Sequence, residues 1–165
     1  MKDIITVELP NFKANYEVVW YENTDFSSLK NVKQVYGVLL NEKKEVLIID
    51  TGRNWQLPGG TPKQGESWEQ TLIREVKEEA SVEIENIIPL GYQMVSEIKN
   101  QKKGAPLCQL RFAAKIKKLN KIERDPSTGN MPKRNFIDPK DFLVYCPWGK
   151  IGQHVIDKAV KIYTG

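Results

Sequence analysis

Apolar and polar positions along the chain fall into short alternating runs, two continuous apolar runs and two stretches of helical period. Residues 4–9 alternate, as do residues 15–21, the latter with Tyr16, Val18 and Trp20 on one side. Each predicts a strand, the first ended by Pro10 and Asn11. Together they predict a hairpin over about residues 1–22, at a sheet edge or a dimer contact. Residues 34–40 (QVYGVLL) and 45–50 (EVLIID) are continuously apolar, which suits central strands buried on both faces. The polar residues 41–44 join them, and residues 22–30 are turn-like. Gly37, inside its strand, either admits a ligand or relieves packing. Further on, residues 83–97 predict an extended segment, 98–106 a basic turn and 107–116 a returning strand. Residues 120–140 are rich in Pro, Gly, Asn and charge and predict one long loop. Residues 141–146 (DFLVYC) predict a short strand. A final helix is predicted near 153–163, where Val155, Ile156, Ala159 and Val160 recur at helical spacing.

The other helical stretch, residues 67–80, contains good helix formers and neither Pro nor Gly. Ser67 is a natural N-cap, and Gln70 three residues later completes a capping box. At 100° per residue Leu72, Ile73, Val76 and Ala80 share an arc that can pack on a core. Glu75, Glu78 and Glu79 share the neighbouring arc within one turn. Like charges at this spacing cost roughly 0.2–0.5 kcal/mol per pair, which Arg74, four residues before Glu78, only partly relieves. A divalent cation would turn that repulsion into coordination, since hard cations prefer carboxylate oxygens. A solvated acidic face on a surface helix is the alternative.

Composition narrows the picture. A chain of 165 residues suits a single domain over 1–165 with a core of its own. No long apolar run predicts a membrane span, and MKDIITVELP lacks the apolar stretch of a signal peptide, so a cytoplasmic protein is expected. Cys108 and Cys146 have no CxxC spacing and read as core residues. His154 is the only histidine, which excludes mechanisms that need a histidine pair. The net charge of +4 suits an anionic substrate without marking a nucleic-acid binder.

The residues from Gly59 to Val82 (GGTPKQGESWEQTLIREVKEEASV) carry a more specific signal. Gly60, Glu66, the run Arg74-Glu75-Val76, the pair Glu78-Glu79 and Val82 stand at the spacing of the Nudix box, and the approach Trp55-Gln56-Leu57-Pro58-Gly59-Gly60 is also similar to that family's. The chain therefore resembles a Nudix hydrolase. One position departs from the pattern: Ser81 stands where the family has Gly, just past the helix, where a left-handed residue is common. Some strain or an altered exit loop is expected there.

The resemblance implies an α/β (α+β) fold, the α/β/α sandwich with a mixed β-sheet, and metal-dependent cleavage of a pyrophosphate in a nucleoside diphosphate linked to another group. It implies Mg²⁺ or Mn²⁺ as cofactor, held by Glu75, Glu78 and Glu79 with a backbone carbonyl at Gly59 or Gly60. Glu75, Glu79 and Arg74 become the catalytic candidates, Arg74 as the holder of a box glutamate and Glu75 or another glutamate as base. Glu66 braces the loop or serves an outer metal. Lys102 and Lys103, with Lys99, are candidates for phosphate contact, and Tyr36, Phe136 and Trp148 for stacking on a base. An acidic residue outside the box is expected among Glu97, Glu123, Asp125 and Asp138. Nucleoside triphosphates, including modified ones, are the expected substrates, with the 5′ end of RNA as a variant. A catalytically silent nucleotide- or RNA-binding module is the competing reading. The oligomeric state expected is monomer or homodimer.

Overall fold

A computed structural model describes residues 1–9 and 12–165, so the predicted break at Pro10 and Asn11 lies outside the described residues. Strands β1 (Lys2–Leu9) and β2 (Phe12–Tyr21) pair antiparallel at the edge of the sheet. They are followed by β3 (Val32–Leu40), β4 (Val46–Asp50) and the two-residue strands β5 (Trp55–Gln56) and β6 (Gly59–Gly60). Helix α1 (Trp68–Ala80) leads into β7 (Val82–Lys99), β8 (Lys102–Lys103), β9 (Leu107–Leu119) and β10 (Lys133–Ile137). A 3-10 turn (Pro139–Asp141), α2 (Phe142–Tyr145) and α3 (Gly149–Thr164) end the chain.

The sheet runs β1-β2-β7-β9-β3-β4-β10, with β3 parallel to β9 and its other ladders antiparallel. It is therefore the expected mixed sheet. Its two faces bury separate apolar clusters. Val35, Leu39, Leu47, Ile49, Phe112 and Ala114 pack against Leu72, Val76 and Ala80 of α1. Val38, Leu40, Ile48, Ala113 and Trp20 pack against Ile151, Val155, Ile156 and Ala159 of α3. The continuous apolar runs of β3 and β4 exist because successive side chains enter opposite cores. The hairpin is tied to α3 through Asp3, whose Oδ2 accepts from the Lys150 backbone N–H at 3.2 Å.

Four expectations need correction. Ile73 does not join the core arc of α1: it is 48 % exposed, and the buried position on that flank is Thr71. Its hydroxyl donates to the Ser67 carbonyl at 3.1 Å, so a polar residue is accommodated where an apolar one is expected. Residues 120–140 are not one loop, because 133–137 add β10 antiparallel to β4; flanking prolines and polar alternation hide a short edge strand. Residues 141–146 are not a strand. Phe142 and Cys146 are buried and Val144 is 80 % exposed, a spacing of four that belongs to a helical turn. The last helix starts at Gly149, four residues before the periodic apolar stretch. At Gly37 the structure supports relief of packing: a Cβ there would lie 2.9 Å from Leu72 Cδ1.

Candidate metal and phosphate site

The site grows from the junction of β6 with α1. Ser67 accepts from the Gln70 backbone N–H while the Gln70 side chain accepts from the Ser67 N–H, which fixes where α1 begins. From that start, Leu72, Val76 and Ala80 face the core and Glu75, Glu78 and Glu79 come round beside the Gly59–Gly60 strand. Gly59 donates its backbone N–H to Glu79 Oε2 at 3.0 Å. Gly60 packs directly on Glu75: a Cβ would fall 2.4 Å from the Glu75 carboxyl carbon, so any side chain there would expel the carboxylate.

Arg74 organises the acidic residues. Its Nε and Nη2 hold Glu66 in a bidentate contact at 2.7 and 2.9 Å, its Nη1 reaches Glu75 Oε1 at 2.8 Å and Glu78 Oε2 at 3.4 Å, and Nη2 also donates to the Thr61 carbonyl. The Arg74 contact and the Lys63 backbone N–H hold the Glu66 carboxyl down at about 2. Glu79 behaves oppositely. Burial, and then the charges of Glu75, Asp125 and Glu78, push its carboxyl up to about 8 against the Gly59 hydrogen bond. Burial also raises Glu75, against the pull of Arg74.

Asp125 joins these glutamates. It lies in a cleft of about 400 Å³ with Glu79, Asp50, Thr128, Asn130 and Lys133, and its charge is felt at both Glu75 and Glu79. Burial works to raise the Asp125 carboxyl, but hydrogen bonds to Oδ1 from Ser127 Oγ (2.6 Å), Ser127 N–H (2.8 Å) and Thr128 N–H outweigh it. The other candidates outside the box lie elsewhere. Glu97 pairs with Lys99 at 3.1 Å, Asp138 caps the 3-10 turn, and the side chain of Glu123 is exposed. Lys102 and Lys103 line a second cleft with Glu97, Lys99, Asn100 and Gly104, which shares no residue with the first; Lys103 also pairs with Glu17 at 3.1 Å.

Tyr36 and Trp148 come together on the α3 face, ring centroids 6.0 Å apart, whereas Phe136 packs in the α1 core. Between Tyr36 and Trp148 lies Arg111, its guanidinium 4.7 and 5.3 Å from their rings and the residue only 2 % exposed. Burial brings the Arg111 guanidinium down to about 10. It donates to the Leu110 carbonyl and to Gln109 Oε1, and Gln109 links Gln93 to Gln34 by hydrogen bonds of 2.8 and 2.6 Å. This polar row crosses β7, β9 and β3 on one face. Sequence reading missed it, although a charge set in the apolar run LCQLRFAAKI was the visible signal.

The donor set suits a hard divalent cation: Glu75, Glu78, Glu79 and Asp125 are mutually repelling oxygen donors with little neutralisation beyond Arg74. Among the described residues no three acidic, His or Cys side chains are yet spaced to ligate one ion, and Glu75 and Glu78 are both turned onto Arg74.

The NUDIX domain family model matches residues 30–144. Among solved structures, the chain is similar to a point mutant of the Bacillus subtilis pyrophosphohydrolase BsRppH, with TM-score 0.70 and 17 % identity over 89 % of this chain and 92 % of that one. It is also similar to a C. elegans Ap4A hydrolase in a binary complex (TM-score 0.56, 18 % identity, 81 % and 99 % covered). MutT from Bacillus halodurans gives TM-score 0.56 and 17 % identity over 78 % and 81 % of the two chains. Identities this low carry the fold alone.

Proposed function

This chain belongs to the NUDIX family, whose enzymes hydrolyse pyrophosphate bonds, and we propose that it cleaves a nucleoside triphosphate or modified nucleotide with Mg²⁺ or Mn²⁺. The observation that carries this reading is the clasp between the Gly59–Gly60 backbone and the carboxylates of Glu79 and Glu75, beside Asp125.

Glu75, Glu78 and Glu79, with the Gly60 carbonyl, would hold the cation. When bound, it would neutralise phosphoryl oxygens and acidify water, whose pKa falls from 15.7 toward ~7 in favourable cases. The chain's own residues do the rest. Arg74 keeps the glutamates in register, and its bidentate grip on Glu66 ties the loop at 61–66 to α1. Glu75, or another of the box glutamates, would accept the proton released as water attacks. Tyr36, whose hydroxyl feels the charges of Glu75 and Glu79, would be the stacking partner for a base. All the box glutamates are present, which weighs against the silent binding module.

The test is release of phosphate or pyrophosphate from nucleoside triphosphates, nucleotide sugars, ADP-ribose, dinucleoside polyphosphates and triphosphorylated RNA. Each is run with Mg²⁺, Mn²⁺ or chelator, with Glu79→Gln as control. Metal-dependent release from nucleoside triphosphates, absent in Glu79→Gln, is the expected result. Equal turnover by the variant would refute the assignment.

A further inference from the structure

Ser81 adopts a left-handed conformation (φ 53°, ψ 46°) at the end of α1, where its side chain is nearly fully buried. A non-glycine residue is disfavoured in this region, and bare C-cap geometry needs no hydroxyl. Here the hydroxyl is used: Ser81 Oγ accepts from the Glu123 backbone N–H at 3.2 Å, and the Ser81 carbonyl accepts from the Asn120 N–H at 2.9 Å. Arg134 fastens the same junction, donating to the carbonyls of Ala80 (2.6 Å), Ser81 (3.2 Å) and Asn120 (2.9 Å). The segment from Asn120 is thus pinned to the end of the helix that carries Glu75, Glu78 and Glu79.

Two residues beyond the Glu123 tie comes Asp125. Its Oδ1 is taken up within its own turn, and the Asp125 carbonyl and N–H close that turn on Gly129 and Asn130. The turn is therefore a small rigid unit whose distance from the box is set by the segment's attachment at Ser81.

We propose that Ser81 is a positioning residue: its hydroxyl anchors the 120–130 segment so that the Asp125 carboxylate is held beside Glu75 and Glu79. The inference rests on the hydrolase reading of that site but is specific to this chain's serine. The hydroxyl compensates for strain that a glycine would avoid.

The test compares Ser81→Gly, Ser81→Ala, Asp125→Asn and the double variant Ser81→Gly/Asp125→Asn. The readouts are Mn²⁺ titration followed by electron paramagnetic resonance, amide hydrogen exchange over 120–130, and kcat and KM. Ser81→Gly and Ser81→Ala both lose the hydroxyl, but only Ala keeps the strained Cβ. Both are expected to speed exchange at the Glu123 amide, to weaken Mn²⁺ binding by about 10-fold and to lower kcat by a similar factor with KM little changed. Ser81→Gly should do so without a lower melting temperature, which a merely structural role would not allow. The double variant should bind Mn²⁺ no more weakly than Asp125→Asn. Unchanged exchange and Mn²⁺ affinity in Ser81→Gly, losses confined to Ser81→Ala, or losses that multiply in the double variant would each overturn the proposal. Exchange and Mn²⁺ affinity do not depend on turnover. Failure of the hydrolase reading, seen as no wild-type hydrolysis of any substrate, is therefore distinguishable from failure of this one.

Discussion

Replacing Glu79 with Gln should stabilise the metal-free protein while abolishing turnover. The side chain is half-buried, faces three other carboxylates and has one compensating hydrogen bond, from the Gly59 N–H. Glutamine keeps an oxygen for that bond and removes the charge. Lifting a carboxyl from 4.5 to about 8 at about 1.4 kcal/mol per pH unit corresponds to ~3 kcal/mol of lost stability at pH 7. Partial solvent exposure lowers this to roughly 1–2 kcal/mol. The sign follows from proton counting. Between pH 4.5 and about 8 the folded state holds a proton on Glu79 that the unfolded state has released, so stability falls as pH rises through that window. The variant lacks this slope.

The assay is urea unfolding in chelator from pH 5 to pH 8.5, wild type against Glu79→Gln, repeated with Mn²⁺. In chelator the stability gap should widen in favour of the variant as pH rises. Saturating Mn²⁺ should reverse the order, because a ligand that binds only the native site stabilises wild type by mass action. A gap that stays flat with pH, or Mn²⁺ stabilisation equal in both proteins, would refute the idea that Glu79 is a destabilised carboxylate held for a cation.

Other outcomes follow from neighbouring contacts. Arg74→Lys keeps the charge but loses the fork on Glu66, so kcat should fall by about 10-fold or more in steady-state assays. Arg111→Met replaces a buried cation that has no carboxylate partner among the described residues; calorimetry should show an unchanged or higher melting temperature, and nucleotide KM should rise. Lys102→Ala/Lys103→Ala alters a cleft separate from the one at Glu79, so nucleoside triphosphate kinetics should hold, while any RNA binding should weaken and lose salt dependence.

The helix that bears the glutamates was legible because its cap, its apolar arc and its charges are local properties of residues 67–80. β3 and β4 were legible for a similar reason, since burial on both faces leaves an unbroken apolar run. What local pattern could not show was long-range pairing. β10 exists because β4 offers an edge to residues 133–137, and β6 because Val35 and Tyr36 pair with two glycines that have no side-chain signal. Asp125 stood in the sequence as one acidic residue among four outside the box. Only the cleft it shares with Glu79 separates it from Glu97, Glu123 and Asp138.

The reach of Arg74 explains how one corner of the fold can hold carboxylates of opposite character. Glu66 and Glu79 lie on either side of Arg74 and Glu75, yet one sits at about 2 and the other at about 8. A single guanidinium has a limited reach: its fork is spent on Glu66, its remaining N–H groups on Glu75, Glu78 and Thr61, and none on Glu79. Glu79 is left with the Gly59 N–H and the added repulsion of Asp125. Lys133 lines the same cleft without offsetting the burial and repulsion at Glu79, so the fold supplies a cradle for a further positive charge rather than the charge itself. On this argument, a lysine introduced at Thr128, which lines the same cleft, should lower the Glu79 carboxyl pKa and weaken Mn²⁺ binding together. The carboxyl can be followed by carbon NMR in chelator. A lysine that moved one without the other would separate the raised pKa from the cation site and break the link drawn between them.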